Sequence, residues 1–246
     1  ENNRAVMGHS HDGLDGETYS GAAFVYERAT PSSSWTSVAR IAPHDPQNSS
    51  YFAGPLAIRG HVIVGSAYNK DEWNGNSLKY SAGAVYVFEQ SSNGQSWIEM
   101  AKLTRPGGSQ YKTYFGSDVA IAENAQRIFV GASKDNGEGA VYVYEKNTAG
   151  EWMVQDTIRP LEDAYYFGQS ISIYGSNVVA IGSPGDNNSG SNPGYVYIFQ
   201  KQGTSWVKVA RLEAPWRSRC SRCGFGAPLD LSPNGRFLAV GSRNDW

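Results

Sequence analysis

The chain is poor in the residues that usually announce chemistry. Its 246 residues include two cysteines, four histidines and three methionines. The cysteines, Cys220 and Cys223, are too few for a disulfide framework. A single Cys-x-x-Cys supplies two of the four ligands of a structural zinc, which argues against zinc. No βαβ pattern surrounds it, which argues against a thioredoxin-like redox centre. The pair either closes a local disulfide or stands as two thiols. No apolar run approaches the roughly 18 residues of a membrane-spanning helix, so no transmembrane segment is expected in this chain. A net charge of −2 and a pI near 6.1 give no global pull towards nucleic acid or anionic membranes. There is no initiator Met and no signal peptide. The sequence opens in mid-pattern at Glu1-Asn2-Asn3-Arg4, and it is expected to be part of something longer.

Catalytic motifs are missing too. There is no nucleophile elbow, no His-Glu-x-x-His pair and no phosphate-cradling glycine loop. Neither an enzyme nor a cofactor is expected, because no site chemistry is spelled out.

What the chain has instead is glycine, 28 residues of it, and 13% aromatics. One glycine-led stretch recurs: Gly21-Ala22-Ala23-Phe24-Val25-Tyr26, Gly83-Ala84-Val85-Tyr86-Val87-Phe88, Gly139-Ala140-Val141-Tyr142-Val143-Tyr144 and Gly194-Tyr195-Val196-Tyr197-Ile198-Phe199. β-Branched and aromatic residues behind a glycine make a strand, and its recurrence makes a repeat protein. Aligning the copies gives four strand phases. Phase A follows an aromatic-glycine pair, as in Tyr114-Phe115-Gly116 and Tyr166-Phe167-Gly168; phase B is an apolar run closed by glycine, as in Ile128-Phe129-Val130-Gly131. Phase C is the recurring stretch, and phase D runs from Trp35, Trp97, Trp152 or Trp206 to an aliphatic residue. These tryptophans are spaced 62, 55 and 54 residues apart, with no helical period between them.

Four short strands per repeat form an antiparallel meander with a bare hydrophobic face. Stacking such sheets radially buries that face, which is the β-propeller solution. The fold class is therefore all-β, a β-propeller of four-stranded antiparallel blades. The segment 1–246 divides into a blade remnant 1–41, repeats 51–103, 114–158 and 166–212, and a partial repeat 224–246. That is about four and a half blades, expected to belong to a larger ring.

The order Phe-Gly, alternating strand, Val-Gly closure and Gly-x-Val-Tyr-Val-Phe/Tyr resembles the FG-GAP repeats of integrin α-subunit propellers. Continuations such as Trp97-Ile98-Glu99-Met100-Ala101-Lys102-Leu103 are similar to a short-loop variant in bacterial and algal or protist surface proteins. The resemblance covers the whole chain and implies the propeller fold and an extracellular, cell-surface setting. In integrins the A–B turn can be a calcium loop rich in aspartate. Here the turns are Arg59-Gly60, Ala122 to Gln126, Tyr174-Gly175-Ser176 and Ser232 to Gly235, which lack the oxygen ligands, so no metal is carried over.

In a meander the A–B and C–D turns share one end of the propeller, and the B–C and D–A loops share the other. The A–B turns are uniformly tight. The B–C loops vary from 8 positions (Gly131 to Gly139) to 18 (Gly65 to Gly83), and variable loops on a rigid scaffold are where recognition sits. That end carries the candidate binding residues Tyr68, Trp73, Tyr80, Tyr111, Tyr165 and Trp216, with Arg217 and Arg219 forming a basic patch. The Tyr-Phe-Gly aromatics and the four phase-D tryptophans recur in the repeats and are read as packing. The cluster His9-Ser10-His11-Asp12-Gly13-Leu14-Asp15-Gly16-Glu17 and the stretch Lys134 to Glu138 are read as polar turns. Asn48 and Asn187 open glycosylation sequons. The function expected is a non-catalytic extracellular structural or adhesion module, a glycoprotein contacting other subunits or neighbouring domains. The alternative is a lectin-like propeller that binds glycans between blades.

Overall fold

The computed structural model describes residues 3–13, 16–160, 164–185, 193–214 and 224–242. Within them a meander runs through five sheets. The first holds β1 (Arg4–His9), β2 (Ala22–Glu27) and β3 (Thr36–Ile41). The second joins β4 (Leu56–Arg59), β5 (Val62–Ala67), β8 (Ala84–Gln90) and β9 (Trp97–Leu103), with a small ribbon of β6 (Glu72–Trp73) and β7 (Leu78–Lys79) extending from its long loop. The third contains β10 (Phe115–Ile121), β11 (Arg127–Ala132), β12 (Ala140–Lys146) and β13 (Trp152–Ile158). The fourth contains β14 (Ser170–Tyr174), β15 (Val178–Ser183), β16 (Tyr195–Gln202) and β17 (Ser205–Glu213), and the fifth β18 (Leu229–Leu231) and β19 (Leu238–Val240). The strands follow the four phases in order. The ribbon is the addition, turned by Asn74, whose Oδ1 accepts from the amides of Asn76 and Ser77.

Period-two alternation explains why the glycine-led strand is apolar on both faces. Val85 and Val87 point into the core shared with the third sheet, while Ala84, Tyr86 and Phe88 point into the core shared with the first. The next strand of this kind repeats the division, with Tyr142 and Tyr144 facing back and Val141 and Val143 facing forward. Each core therefore lies between consecutive blades rather than inside one. In the four C–D pairings a register shift falls at the same place, between Val25 and Tyr26, Val87 and Phe88, Val143 and Tyr144, and Ile198 and Phe199. Such repeated bulges add twist to every blade at the same point.

The seam between blades is a backbone contact. The amide of Phe115 donates to the Ala82 carbonyl (3.1 Å) and that of Phe167 to Glu138 (2.9 Å), with equivalent bonds from Phe52 to Ser20 and from Phe225 to Pro193. Each acceptor precedes the glycine that leads phase C. A Cβ on Gly83 would lie 2.0 Å from the Phe115 carbonyl oxygen, and one on Gly139 2.2 Å from that of Phe167. Their φ angles are +84° and +103°, so space and conformation both demand glycine. Phe52, Phe115 and Phe167 are fully buried, each worth about 2–3 kcal/mol of apolar burial.

Packing holds for three of the four tryptophans. Trp152 is buried, Trp97 packs against the core between the first two blades, and Trp206 lies edge-on to Phe129 of the preceding blade at 5.3 Å. Trp35 departs from that reading: it is 44% exposed, with the Arg28 guanidinium 4.6 Å above its ring. Its blade contributes only three strands among the described residues, so less surrounds it.

Candidate functional site

The phase-A strands β4, β10, β14 and β18 stand side by side around a central channel. They do not pair as a sheet, so side chains satisfy their amides. Asp118 Oδ2 accepts from the Ile171 amide (2.6 Å), Ser170 Oγ from Leu229 (3.1 Å) and Ser172 Oγ from Leu231 (2.9 Å). Burial pushes the Asp118 carboxyl up to about 7, against the pull of the Ile171 and Val119 amides and the Ser170 hydroxyl.

At the loop end the channel opens into a mouth of about 850 Å³, within the usual range for a ligand cleft. Tyr51, Tyr68, Tyr114, Lys134, Tyr166 and Gln169 are among the residues that line it. Three of the tyrosines come from one repeat position, the residue before Phe-Ala-Gly or Phe-Gly, and all three have left-handed backbones: φ is +52° at Tyr51, +50° at Tyr114 and +60° at Tyr166. That conformation costs a bulky L-residue about 1–2 kcal/mol. In the fifth blade the same position is Gly224, with φ +63°. The backbone thus needs a left-handed residue here, and three blades place a strained tyrosine where glycine would fit without strain.

Lys134 and Tyr68 enter the mouth from the B–C loops. The Lys134 ammonium lies 5.1 Å from the ring centroid of Tyr114 and 5.2 Å from that of Tyr166. Tyr68 approaches Tyr114 at 6.5 Å, and burial, with the phenols of Tyr51 and Tyr114 nearby, pushes its hydroxyl above the ordinary value. The arrangement offers aromatic faces, one cation and a polar wall of Ser117, Gln169 and Ser170.

Behind the mouth, the same loops are held by ion clusters, buried in the third blade and half-buried in the second. Asp135 is fully buried and accepts from Arg105 Nε (2.7 Å), Arg159 Nη2 (3.0 Å) and the Tyr142 hydroxyl (2.6 Å). Burial alone would raise its pKa, but these donors hold it below the carboxylate range, while burial and Asp135 push the Tyr142 hydroxyl up to about 12. In the second blade the loop residue is a cation instead. Lys70 and Lys102 pair with Asp45, which also takes the Tyr86 hydroxyl at 2.5 Å. The tyrosine of the recurring strand thus delivers its hydroxyl to a carboxylate in both blades.

Of the residues the sequence singled out for binding, Tyr68 alone among the described ones lines the mouth. Trp73 and Tyr80 belong to the ribbon segment, Tyr80 meets Tyr111 edge-on at 6.3 Å, and Tyr165 is exposed beside the fourth blade. Trp216, Arg217, Arg219, Cys220, Cys223 and Asn187 lie outside the described residues. Asn48 is exposed, with its Oδ1 taken by the backbone amide (2.6 Å) and hydroxyl of Thr18. In the histidine cluster, Asp12 is paired with Arg40 at 2.9 Å, and His11 packs edge-on against Tyr19 and Tyr51.

Two readings need correction. The Tyr-Phe-Gly aromatics are not packing alike: the phenylalanine is core, but the half-buried tyrosine lines the mouth. Nor is Lys134 to Glu138 merely a polar turn, because Asp135 anchors it from inside. The pattern carried one usable signal: three blades have tyrosine where the fifth has glycine.

Two solved structures share this architecture. A protein from Lactobacillus plantarum superposes with a TM-score of 0.56 at 14% identity, over 97% of this chain and 59% of its own. A functionally unknown protein from Desulfotomaculum acetoxidans gives 0.56 at 11% identity, over 89% of this chain and 55% of its own. The chain thus spans a little over half the length of each, and at these identities the likeness is one of fold. No curated protein matches the chain. The FG-GAP repeat pattern matches residues 35–88, 97–144 and 162–199. Two of these matches begin at a phase-D tryptophan and end in the next blade's recurring strand, so the sequence repeat bridges two spatial blades. With more than half its length so matched and its sheets arranged as blades, this chain belongs to the FG-GAP repeat family.

Proposed function

We propose that the chain is a non-catalytic interaction module of an extracellular, cell-surface protein or appendage, and that its loop end contacts other subunits or neighbouring domains. FG-GAP repeats in general suggest a protein-interaction or structural role. The observation that carries the finer reading is the aromatic surface of the second blade's long loop. Trp73 is 64% exposed, opposite the exposed Leu78 across the ribbon, and the Tyr80–Tyr111 pair that follows is 54% and 57% exposed. Rings of this kind are enriched in protein interfaces, where they bury large area at low entropic cost. In this reading the two sequons, Asn48 and Asn187, carry glycans.

Site-specific labelling in the native setting tests the proposal. In a Cys220→Ser, Cys223→Ser background, Tyr80→Cys and Asn124→Cys place a thiol at the loop end and at a turn of the opposite end. On intact cells a membrane-impermeant maleimide should label position 124 and spare position 80. Equal labelling of both would overturn the docking surface, and labelling of neither until the cells are opened would overturn the extracellular setting.

A further inference from the structure

The strained tyrosines of the channel mouth lie apart from the exposed ribbon, and their chemistry suits a smaller guest. A residue held at positive φ in three blades, where glycine serves in a fourth, is retained for its side chain rather than its backbone. The three rings face one cavity. What that cavity holds already limits the guest. Lys134 occupies the space between Tyr114 and Tyr166, so a cationic guest would meet a like charge on the faces it needs. A wholly apolar guest would strand the side-chain amide of Gln169. A guest with apolar ring faces, hydroxyls around its edge and a negative charge meets all three features.

We propose that the loop-end mouth binds a short acidic saccharide, its sugar rings lying against the mouth tyrosines and its carboxylate or sulfate held by Lys134. Among the described residues no carboxylate pairs with the Lys134 ammonium, so the cation is available. Asp118 on the wall turns both carboxylate oxygens to backbone, accepting from the amides of Val119 and Ile171, and does not pair with Lys134. The side-chain amide of Gln169 supplies a donor and an acceptor for sugar hydroxyls. At the fifth blade, Gly224 presents no ring at the equivalent position.

Titration calorimetry on the full chain tests this with three probes: a galacturonate hexamer, a sulfated chondroitin tetrasaccharide and a neutral glucose hexamer. At least one acidic probe should bind about ten-fold or more tighter than the neutral one. Lys134→Gln should remove that preference. Tyr114→Gly should weaken acidic-probe binding about ten-fold while its Tm stays at or above that of the parent chain, because glycine relieves the left-handed strain. The proposal is overturned if neither acidic probe outbinds the neutral one. It also fails if Tyr114→Gly binds normally, or if that variant melts well below the parent, which would show that the ring is kept for folding. Failure here leaves the protein-docking surface of the ribbon untouched, since Trp73 and Tyr80 take no part in it.

Discussion

The two ends of the channel are built from the same strands and carry different physics. At the turn end the blades are joined by a repeated, half-exposed device. Arg4 Nε pairs with Glu27 (2.7 Å), and its Nη1 donates to the Gly60 carbonyl of the next blade (2.9 Å) beneath Trp97. Arg127 repeats it two blades on with Glu145, Ser176 and Trp206. The cavity there is about 430 Å³ and is flanked by tight turns. At the loop end Asp135 is fully buried, the seam glycines are pressed against neighbouring backbone, and tyrosines are held in a strained conformation. Identity of strand phase therefore does not imply identity of role. The turn end repeats a mutually satisfied contact, while the loop end concentrates strain and buried charge around an opening.

Glycine substitutions break this comparison most sharply. Gly139→Ala would drive a Cβ to 2.2 Å from the Phe167 carbonyl oxygen at a φ of +103°, and should destabilise by about 3–5 kcal/mol. Gly60→Ala at the turn end also has a positive φ, +57°, but nothing within 4 Å, and should cost only about 1 kcal/mol. Urea denaturation of both variants measures the difference, and equal losses would show that the seam contact is not what makes the loop end sensitive. The charges come next. Asp135→Ala leaves Arg105 buried without its carboxylate and should cost about 3 kcal/mol or more, whereas Glu145→Ala at the turn end should cost about 1 kcal/mol or less. A double-mutant cycle of Asp135 with Arg105, compared with one of Glu145 with Arg127, would rank the two ends directly.

Per unit of pH, the smallest expected effect is a stability slope. Asp118 has a native pKa raised to about 7, above its unfolded value, so the native state binds its proton more tightly. Its contribution is complete below about pH 4 and is lost as the pH rises towards 7. Asp45 and Asp135 act in the opposite sense: their pKa values are lowered, so their contribution is present above about pH 4 and lost as the pH falls below it. Stability measured from pH 4 to 7 should therefore carry a negative slope of at most about 1.4 kcal/mol per pH unit from Asp118, which Asp118→Asn removes. An unchanged slope in that variant would assign it elsewhere.

The strand phases, the order of the blades and the sharing of an end by the B–C and D–A loops were legible because they follow from period-two alternation and from repetition, both local. Trp35 misled because its neighbours in the sequence resemble those of Trp152, while its surroundings in the fold do not. Asp135 was hidden inside a glycine-rich turn, since its partners Arg105 and Arg159 stand 30 and 24 residues away in other loops. Tyr68 could be named a candidate from its loop, but Lys134 could not, because its meaning comes from two rings supplied by different blades.

The recurring Gly-x-Val-Tyr strand shows where that boundary falls. The sequence by itself determined that it is a strand of buried or half-buried composition and that it occupies the third place in each blade, since alternation and β-branching act over a few residues. Only the tertiary structure decided that its glycine seats the next blade's phenylalanine backbone and that its tyrosine hydroxyl, in two blades, serves a loop carboxylate. It also decided that the tyrosine one residue before that phenylalanine turns away from the core to line the mouth. Most of these contacts join segments tens of residues apart. Their geometry is set when blades dock, which no local pattern records.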